Sequence, residues 1–186
     1  MISIVSLWLP VLLSAVVVFV LSALVHMVLG YHANDLRKLP DEDAVADAIR
    51  KWNIPAGEYI LPRPANMKDM NTPEFREKVK KGPGALLTVW EGRNPSMGAN
   101  LIQWFVFCLV VSAIAAYVAS RALQPGASYL SVFRFAGTAA FCCYAVGGWS
   151  DSIWYRRAWS TSLKNTFDGL LFAAFTGGVF GWLWPQ

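Results

Sequence analysis

The sequence predicts an all-α integral membrane protein with four transmembrane helices and a small α+β extramembrane domain between helices 1 and 2. Three observations lead to this fold class. Hydrophobic residues make up 55% of the 186 residues and charged residues only 15%, which is too apolar for an ordinary soluble domain. Four apolar runs are each long enough to cross the hydrocarbon core of a bilayer. Most charges gather in one stretch, residues 32–98, which has eleven Lys/Arg and ten Asp/Glu.

These runs divide the chain into three parts. Residues 1–30 form transmembrane helix 1, residues 31–99 form the small domain, and residues 100–186 contain helices 2–4 at about 100–120, 129–149 and 163–184. We interpret the first run as a membrane helix and not as a cleaved signal peptide, because no basic region precedes it and it is too long. A domain as small as residues 31–99 can bury little apolar surface by itself. We therefore expect it to rest on the membrane surface or on a partner.

Local patterns predict two helices and two strands inside the small domain. Apolar residues recur at helical spacing over residues 41–52, and Thr72 followed by Pro73 is typical of the start of a helix that ends near residue 81. Short apolar runs at residues 58–61 and 85–90 predict strands.

Small residues recur at four-residue spacing on the predicted membrane helices. Ser112 and Ala116 share a face of helix 2, and Gly177 and Gly181 share a face of helix 4. Such faces let helix backbones approach closely in lipid. They predict helix packing, either within one bundle or between two copies of the chain.

Basic residues near the helix ends predict the orientation. With four crossings, one side of the membrane carries eight of them and the other side carries Arg121 and Arg134. Because cytoplasmic ends of membrane helices are enriched in Lys and Arg, we expect a cytoplasmic domain and both termini outside. The eight residues are Arg37, Lys38, Lys80, Lys81, Arg93, Arg156, Arg157 and Lys164.

Two ionisable residues lie inside the predicted membrane helices at similar depths from the cytoplasmic face, His26 and Asp168. Such residues are costly in a bilayer and indicate function by default. One hypothesis is a His26–Asp168 pair that passes or senses a proton, or that binds a divalent metal together with His32 and Asp35. In the structural alternative, Asp168 ties helix 4 to a neighbouring amide or hydroxyl, and His26 has its hydrogen bonds satisfied at the membrane interface.

Other charged residues have simpler predicted roles. Arg134 enters helix 3 from the outer side, where its long side chain can reach the interface or find a partner in the bundle. Trp154, Arg156, Arg157 and Lys164 have the composition of an interfacial belt and are candidate ligands for anionic lipid headgroups.

The lipid bilayer, with anionic lipid, is therefore an expected partner. A membrane protein partner or a homo-oligomer is a further expectation. Nucleic acid is not expected, because no Lys/Arg block interleaves with stacking aromatics outside the apolar runs.

No motif for catalysis or cofactor binding is present. The sequence has no HExxH, GxSxG, P-loop or dinucleotide glycine pattern, and its two histidines lie close together in the chain, which does not suit a haem held between facing helices. We assign no catalytic residue and expect no cofactor. These observations favour a non-enzymatic role, while a histidine–carboxylate pair at the membrane face leaves catalysis open.

Several segments together resemble a known group of proteins. These are GEYILPRP, MNTPEFREKVKKGPGALLTV, WFVFCLVVSAIAAYVASRAL, YLSVFRFAGTAAF, DSIWYRRAWSTSLKNTFDGL and FGWLWP. The succession resembles an uncharacterised family of small four-helix bacterial membrane proteins that have no assigned activity. The resemblance implies a multi-pass protein of the bacterial inner membrane and assigns a role to no residue. In that membrane, the orientation predicted from the basic residues makes both termini periplasmic.

The sequence leaves three functions open. We expect a structural or accessory subunit that binds a membrane partner or self-associates. A first alternative is a protomer of a small ion, proton or metal transporter or channel that uses His26 and Asp168. A second alternative is a membrane enzyme that binds a lipid headgroup.

Overall fold

The structure, a computed structural model, describes residues 2–90 and 96–186. Arg93, one of the basic residues used to predict the orientation, lies outside the described residues. The chain is mostly helical, and it has three helices that are long and apolar enough to cross a membrane, Ile4–Val28, Met97–Ala122 and Tyr129–Trp154. The predicted helical fold is confirmed for three helices of membrane-spanning length. The described chain forms two compact units, residues 2–36 with 96–186, and residues 37–90.

The first long helix is built from three kinds of turn. A 3₁₀ turn at Ile4–Leu7 leads into helix α1 at Trp8–Ala23, which continues as a π-helical turn at Leu24–Val28. The π turn is closed by a hydrogen bond from Leu29 N to Leu24 O of 3.2 Å. Such turns are rare and often occur at functional sites, and this one carries His26.

The smaller unit contains the two helices and two strands that local patterns predict. Helix α2 is Glu42–Lys51, strand β1 is Gly57–Leu61, helix α3 is Pro73–Lys81 and strand β2 is Ala85–Val89. The two strands pair antiparallel, with Tyr59 opposite Leu87. Both helices begin at capping side chains, because Asp41 accepts from Ala44 N and Thr72 accepts from Phe75 N. No residue from 37 to 90 is buried, so this unit has no core of its own.

The larger unit is completed by four more helices. These are α4 at Met97–Ala122, α5 at Tyr129–Tyr144, α6 at Trp149–Trp154 and α7 at Trp159–Trp182. The predicted third helix continues to residue 149. In the structure α5 ends at Tyr144, and a 3₁₀ turn at Val146–Gly148 joins it to α6, so that the three together form the long helix Tyr129–Trp154. Consecutive glycines weaken an α-helix, which explains the break. Helix α7 begins four residues before the predicted position.

The small-residue faces pack helices against each other within the chain. Ser112 and Ala116 are fully buried on α4. A Cβ atom added to Gly177 on α7 would lie 2.8 Å from Phe133 O and 3.2 Å from Gly137 Cα, both on α5. A Cβ at Gly181 would lie 2.7 Å from the Tyr129 ring. These contacts give α5 and α7 a close backbone approach.

The boundary between the two units falls after residue 36, several residues later than the predicted end of helix 1 at residue 30. Residues 31–36 stay with the helices, because their polar side chains bind to α7. These bonds form the candidate site.

Neighbouring glycines on α7 allow a matched test of the packing. Gly177→Ala should destabilise the protein relative to Gly178→Ala by about 1–3 kcal/mol, because its Cβ is forced against Phe133 O. A Cβ at Gly178 meets only the Tyr129 hydroxyl at 3.5 Å, and the gain in helix propensity is common to both variants. Unfolding in mixed detergent measures the difference. Equal stability of the two variants would contradict the close approach of α5 and α7.

Candidate functional site

Polar side chains from two parts of the larger unit meet at one end of the bundle. The first part is the end of the N-terminal helix with the turns that follow it, and the second is the first half of α7. We call this group the polar cluster, and its members are His26, Tyr31, His32, Asp35, Lys164 and Asp168.

Asp168 is at the centre of the polar cluster. Only 3% of its surface is exposed. One carboxylate oxygen accepts a hydrogen bond from the Tyr31 hydroxyl, and the other lies 2.8 Å from His32 Nε2. A buried carboxylate is tolerated only when such partners replace water, so these contacts explain how α7 carries this residue.

The Tyr31 side chain shields the same carboxylate. It packs against the apolar cluster that contains Val25, Cys108 and Phe172. Burial, followed by the hydrogen bond to Asp168 and the charge of Asp168, raises the pKa of the Tyr31 phenol above its ordinary range. The hydroxyl therefore remains a donor toward Asp168.

Asp35 and Lys164 form the outer part of the polar cluster. Lys164 Nζ donates to Asp35 Oδ1 and to the backbone oxygen of Tyr31, each at 2.6 Å. Asp35 Oδ2 lies 2.6 Å from His32 Nδ1. The hydrogen bond from Lys164, followed by that from His32, lowers the pKa of the Asp35 carboxyl below 3.8. Lys164 thus holds the turn after the first helix against α7.

The His32 ring lies between two carboxylates, one at each nitrogen. A neutral imidazole has a single N–H, so only the imidazolium donates to Asp35 and Asp168 together. In that form His32 and Lys164 supply two positive charges against the two negative charges of Asp35 and Asp168. The polar cluster is then neutral as a whole.

His26 joins the polar cluster through its ring face. Its ring stacks on that of His32, with centroids 4.5 Å apart and planes 6° from parallel. His26 Nδ1 donates to Ser22 O at 3.0 Å, which leaves Nε2 as the nitrogen with a free lone pair. The predicted meeting of His26 with Asp168 is therefore mediated by His32. Single ligand atoms of His26, His32 and Asp168 all lie within 4.8 Å of one another.

The remaining predicted site residues lie elsewhere in the larger unit. Arg134 is exposed on the outer surface of α5. Trp154, Arg156 and Arg157 occupy the exposed end of α6 and the turn before α7, where Arg157 is 3.7 Å from Asp151. Lys164, grouped with them from the sequence as a lipid ligand, donates to Asp35 and to the Tyr31 backbone oxygen.

Sequence reasoning missed Tyr31. Its one signal is its position beside His32, and no spacing rule predicts that its hydroxyl reaches a carboxylate on the last helix.

No protein-family model matches the chain, and no solved structure matches it. The chain is similar to the non-structural polyprotein p200 of rubella virus strains TO-336 and RA27/3 vaccine, with 29% identity over 126 residues. The match covers 63% of this chain and 6% of the polyprotein. A viral match does not support the bacterial resemblance, which stays a prediction.

The lowered pKa of Asp35 gives a stability prediction with a definite sign. The folded state favours the carboxylate, so the stabilisation is complete above 3.8, the ordinary value, and is lost as the pH falls through the lower folded pKa. At pH 7, Asp35→Asn should lower the free energy of unfolding by on the order of 1–3 kcal/mol. Below 3.8 the difference from the wild type should shrink.

Unfolding in detergent across this pH range measures the effect. Asp151→Asn is the matched control, because its ion pair with Arg157 is about half exposed and worth roughly 0–1 kcal/mol. An Asp35→Asn penalty that stays constant down to acid pH would show that the carboxylate charge is not the stabilising feature.

Proposed function

We propose that this protein is an accessory subunit of a membrane complex, with residues 37–90 as the part that docks on a protein partner. The single observation that carries the proposal is that no residue in this range is buried. This unit has capped helices and paired strands, as a folded domain does, but it has no buried core. A partner surface would supply the missing contacts.

The docking surface is the apolar face of α2 and its flanks. Leu39, Val45, Ile49, Trp52 and Ile54 line an open groove of about 530 Å³, with Leu87 of β2 at its edge. Trp52 is 75% exposed and Leu39 is 49% exposed. Contiguous exposed apolar residues of this kind are typical of interaction sites, and tryptophan is a frequent energetic centre of protein interfaces. We call this surface the α2 groove.

Charge favours a protein partner over an anionic lipid surface. The stretch from Asp41 to Lys51 contains four acidic residues and two basic ones. Asp41 itself lines the α2 groove. Membrane-surface helices that bind anionic lipid carry mainly Lys and Arg on the polar face. We therefore propose a partner with an apolar ridge flanked by basic residues.

We further propose that α7 is a fourth membrane crossing. It has 24 residues and packs closely along α5, which belongs to a helix of membrane-spanning length. Its hydropathy is reduced by Lys164 and Asp168, whose charges are compensated in the polar cluster. Four crossings would place residues 37–90, the α6–α7 turn and the polar cluster at the cytoplasmic side, following the basic residues.

The other two functions stay predictions. Transport past His26 and Asp168 requires a polar route through the bundle. Catalysis on a lipid headgroup requires the exposed Trp154, Arg156 and Arg157 to bind it. Neither is needed to account for the open α2 groove.

Purification in mild detergent from the source membrane tests the proposal, with intact-complex mass as the readout. The wild type should retain a stoichiometric membrane protein. Trp52→Ser should lose it, because interface tryptophans can each contribute more than about 2 kcal/mol to binding.

Met67→Ser is the matched control, because Met67 lies in the same unit, is 78% exposed and is not part of the α2 groove. Recovery of the wild type as a monomer or a homo-oligomer with no other protein, or equal loss of the partner in both variants, would overturn the accessory role.

A further inference from the structure

We propose that the polar cluster binds one divalent first-row transition-metal ion, with His26 Nε2, His32 Nε2 and a carboxylate oxygen of Asp168 as its ligands. The site lies within the larger unit and does not depend on the docking proposed for residues 37–90. Two imidazoles and one carboxylate suit Zn²⁺ and its neighbours in the first transition row and do not suit Mg²⁺ or Ca²⁺, which prefer oxygen.

The candidate ligand atoms lie close together. One atom from each of the three residues lies within 4.8 Å of the others. Zn–N bonds of about 2.0–2.1 Å put two tetrahedral ligands roughly 3.3 Å apart. The widest pair must therefore close by on the order of 1.5 Å. This requires the exposed His26 ring to tilt out of its parallel stack on His32, so that both Nε2 lone pairs point at one ion.

Each histidine ligand also has a partner that orients its ring. Histidines that bind metal almost always donate their other N–H to a carboxylate or a backbone carbonyl. His32 Nδ1 faces Asp35 at 2.6 Å, and His26 Nδ1 donates to Ser22 O at 3.0 Å. Both histidines thus present Nε2 in the same manner.

The third ligand is oriented as well. The Tyr31 hydroxyl donates to Asp168 Oδ1, and Asp168 Oδ2 is the oxygen that faces His32 Nε2. Lys164 in turn holds Asp35 at 2.6 Å. All three ligands therefore have an outer partner that fixes their orientation, as in metal centres built by proteins.

The hydrogen bonds of the polar cluster leave His26 Nε2 unused. The bonds among Tyr31, His32, Asp35, Lys164 and Asp168 already link the turn after the first helix to α7. Among the residues that the structure describes, His26 Nε2 has no hydrogen-bond partner, although its ring is held by Ser22 O and stacked on His32. A metal gives this oriented nitrogen a partner.

Binding of the metal exchanges one cation for another. The ion bonds to the lone pair of His32 Nε2 and to the Asp168 carboxylate, so a proton carried on that nitrogen leaves to solvent. His32 Nε2 and Asp168 Oδ2 are 2.8 Å apart, so they separate by roughly 0.5 Å to hold a tetrahedral ion. With three protein ligands, a tetrahedral ion keeps one position for water or another small ligand.

Titration of the full-length protein with Zn²⁺ in detergent tests the site, using protein purified without a polyhistidine tag. Calorimetry should show one bound ion per chain, and Co²⁺ should give a visible absorption spectrum that Zn²⁺ abolishes. His26→Ala should weaken binding at least about 100-fold while leaving the fold intact, because His26 is outside the bonds that link the turn to α7. Asp35→Asn should weaken binding about 10–100-fold through loss of the outer partner of His32.

Asp151→Asn is the matched control, since it removes a carboxylate from the same unit outside the polar cluster, and its affinity should equal that of the wild type. Absence of stoichiometric Zn²⁺ or Co²⁺ binding would overturn the proposal. Binding that His26→Ala leaves unchanged, or that Asp151→Asn weakens as much as His26→Ala, would also overturn it.

Discussion

The buried Asp168 carboxylate is the constraint on which the rest of the larger unit depends. A buried carboxylate is costly unless hydrogen-bond partners replace water, and Asp168 is only 3% exposed. The chain meets this cost with partners from outside α7, namely the Tyr31 hydroxyl and the His32 ring. The turn after the first helix is therefore fixed on the bundle and does not act as a free linker.

Close helix packing makes this arrangement possible. Because Gly137 and Gly177 let the backbones of α5 and α7 meet, α7 is held along its length beside a helix of membrane-spanning size. At the end away from the polar cluster, Leu7, Phe180 and Trp184 belong to one apolar core. Rigid packing at that end and ionic bonds at the other leave α7 little freedom to rotate. The polar side chains can then keep hydrogen-bond distances across sequence separations of more than a hundred residues.

The same physical chemistry explains what the sequence could and could not predict. Hydropathy and length located the long apolar helices, and the rise of 1.5 Å per residue placed His26 and Asp168 at similar depths. Depth does not give the rotation of a helix about its axis, so the position of His32 between His26 and Asp168 was not predictable. Lys164 illustrates the same limit. Its positive charge and its depth suit a lipid headgroup, but the rotation of α7 about its axis directs the side chain to Asp35.

Helix ends were less predictable than helix positions. Local signals such as the Asp41 and Thr72 caps located the starts of α2 and α3 well. The end of α5 also follows a local signal, the consecutive glycines Gly147 and Gly148. The end of α1 instead depends on tertiary contacts, because the chain after the π turn follows its bonds to α7. The absence of buried residues over 37–90 likewise follows from how elements pack, which composition alone does not give.

A distance measurement between spin labels tests directly whether Asp168 fixes the turn after the first helix on α7. Labels at exposed Asn34, in the fixed turn, and exposed Gln124, beyond the far end of α4, would be placed in a background with the native cysteines replaced by alanine. Asp168→Leu removes both hydrogen bonds while keeping α7 apolar. A narrow distance distribution is expected for Asp168 and a broad one for Asp168→Leu at unchanged helix content. A broad distribution with Asp168 present, or a narrow one that survives its replacement, would contradict this role of Asp168.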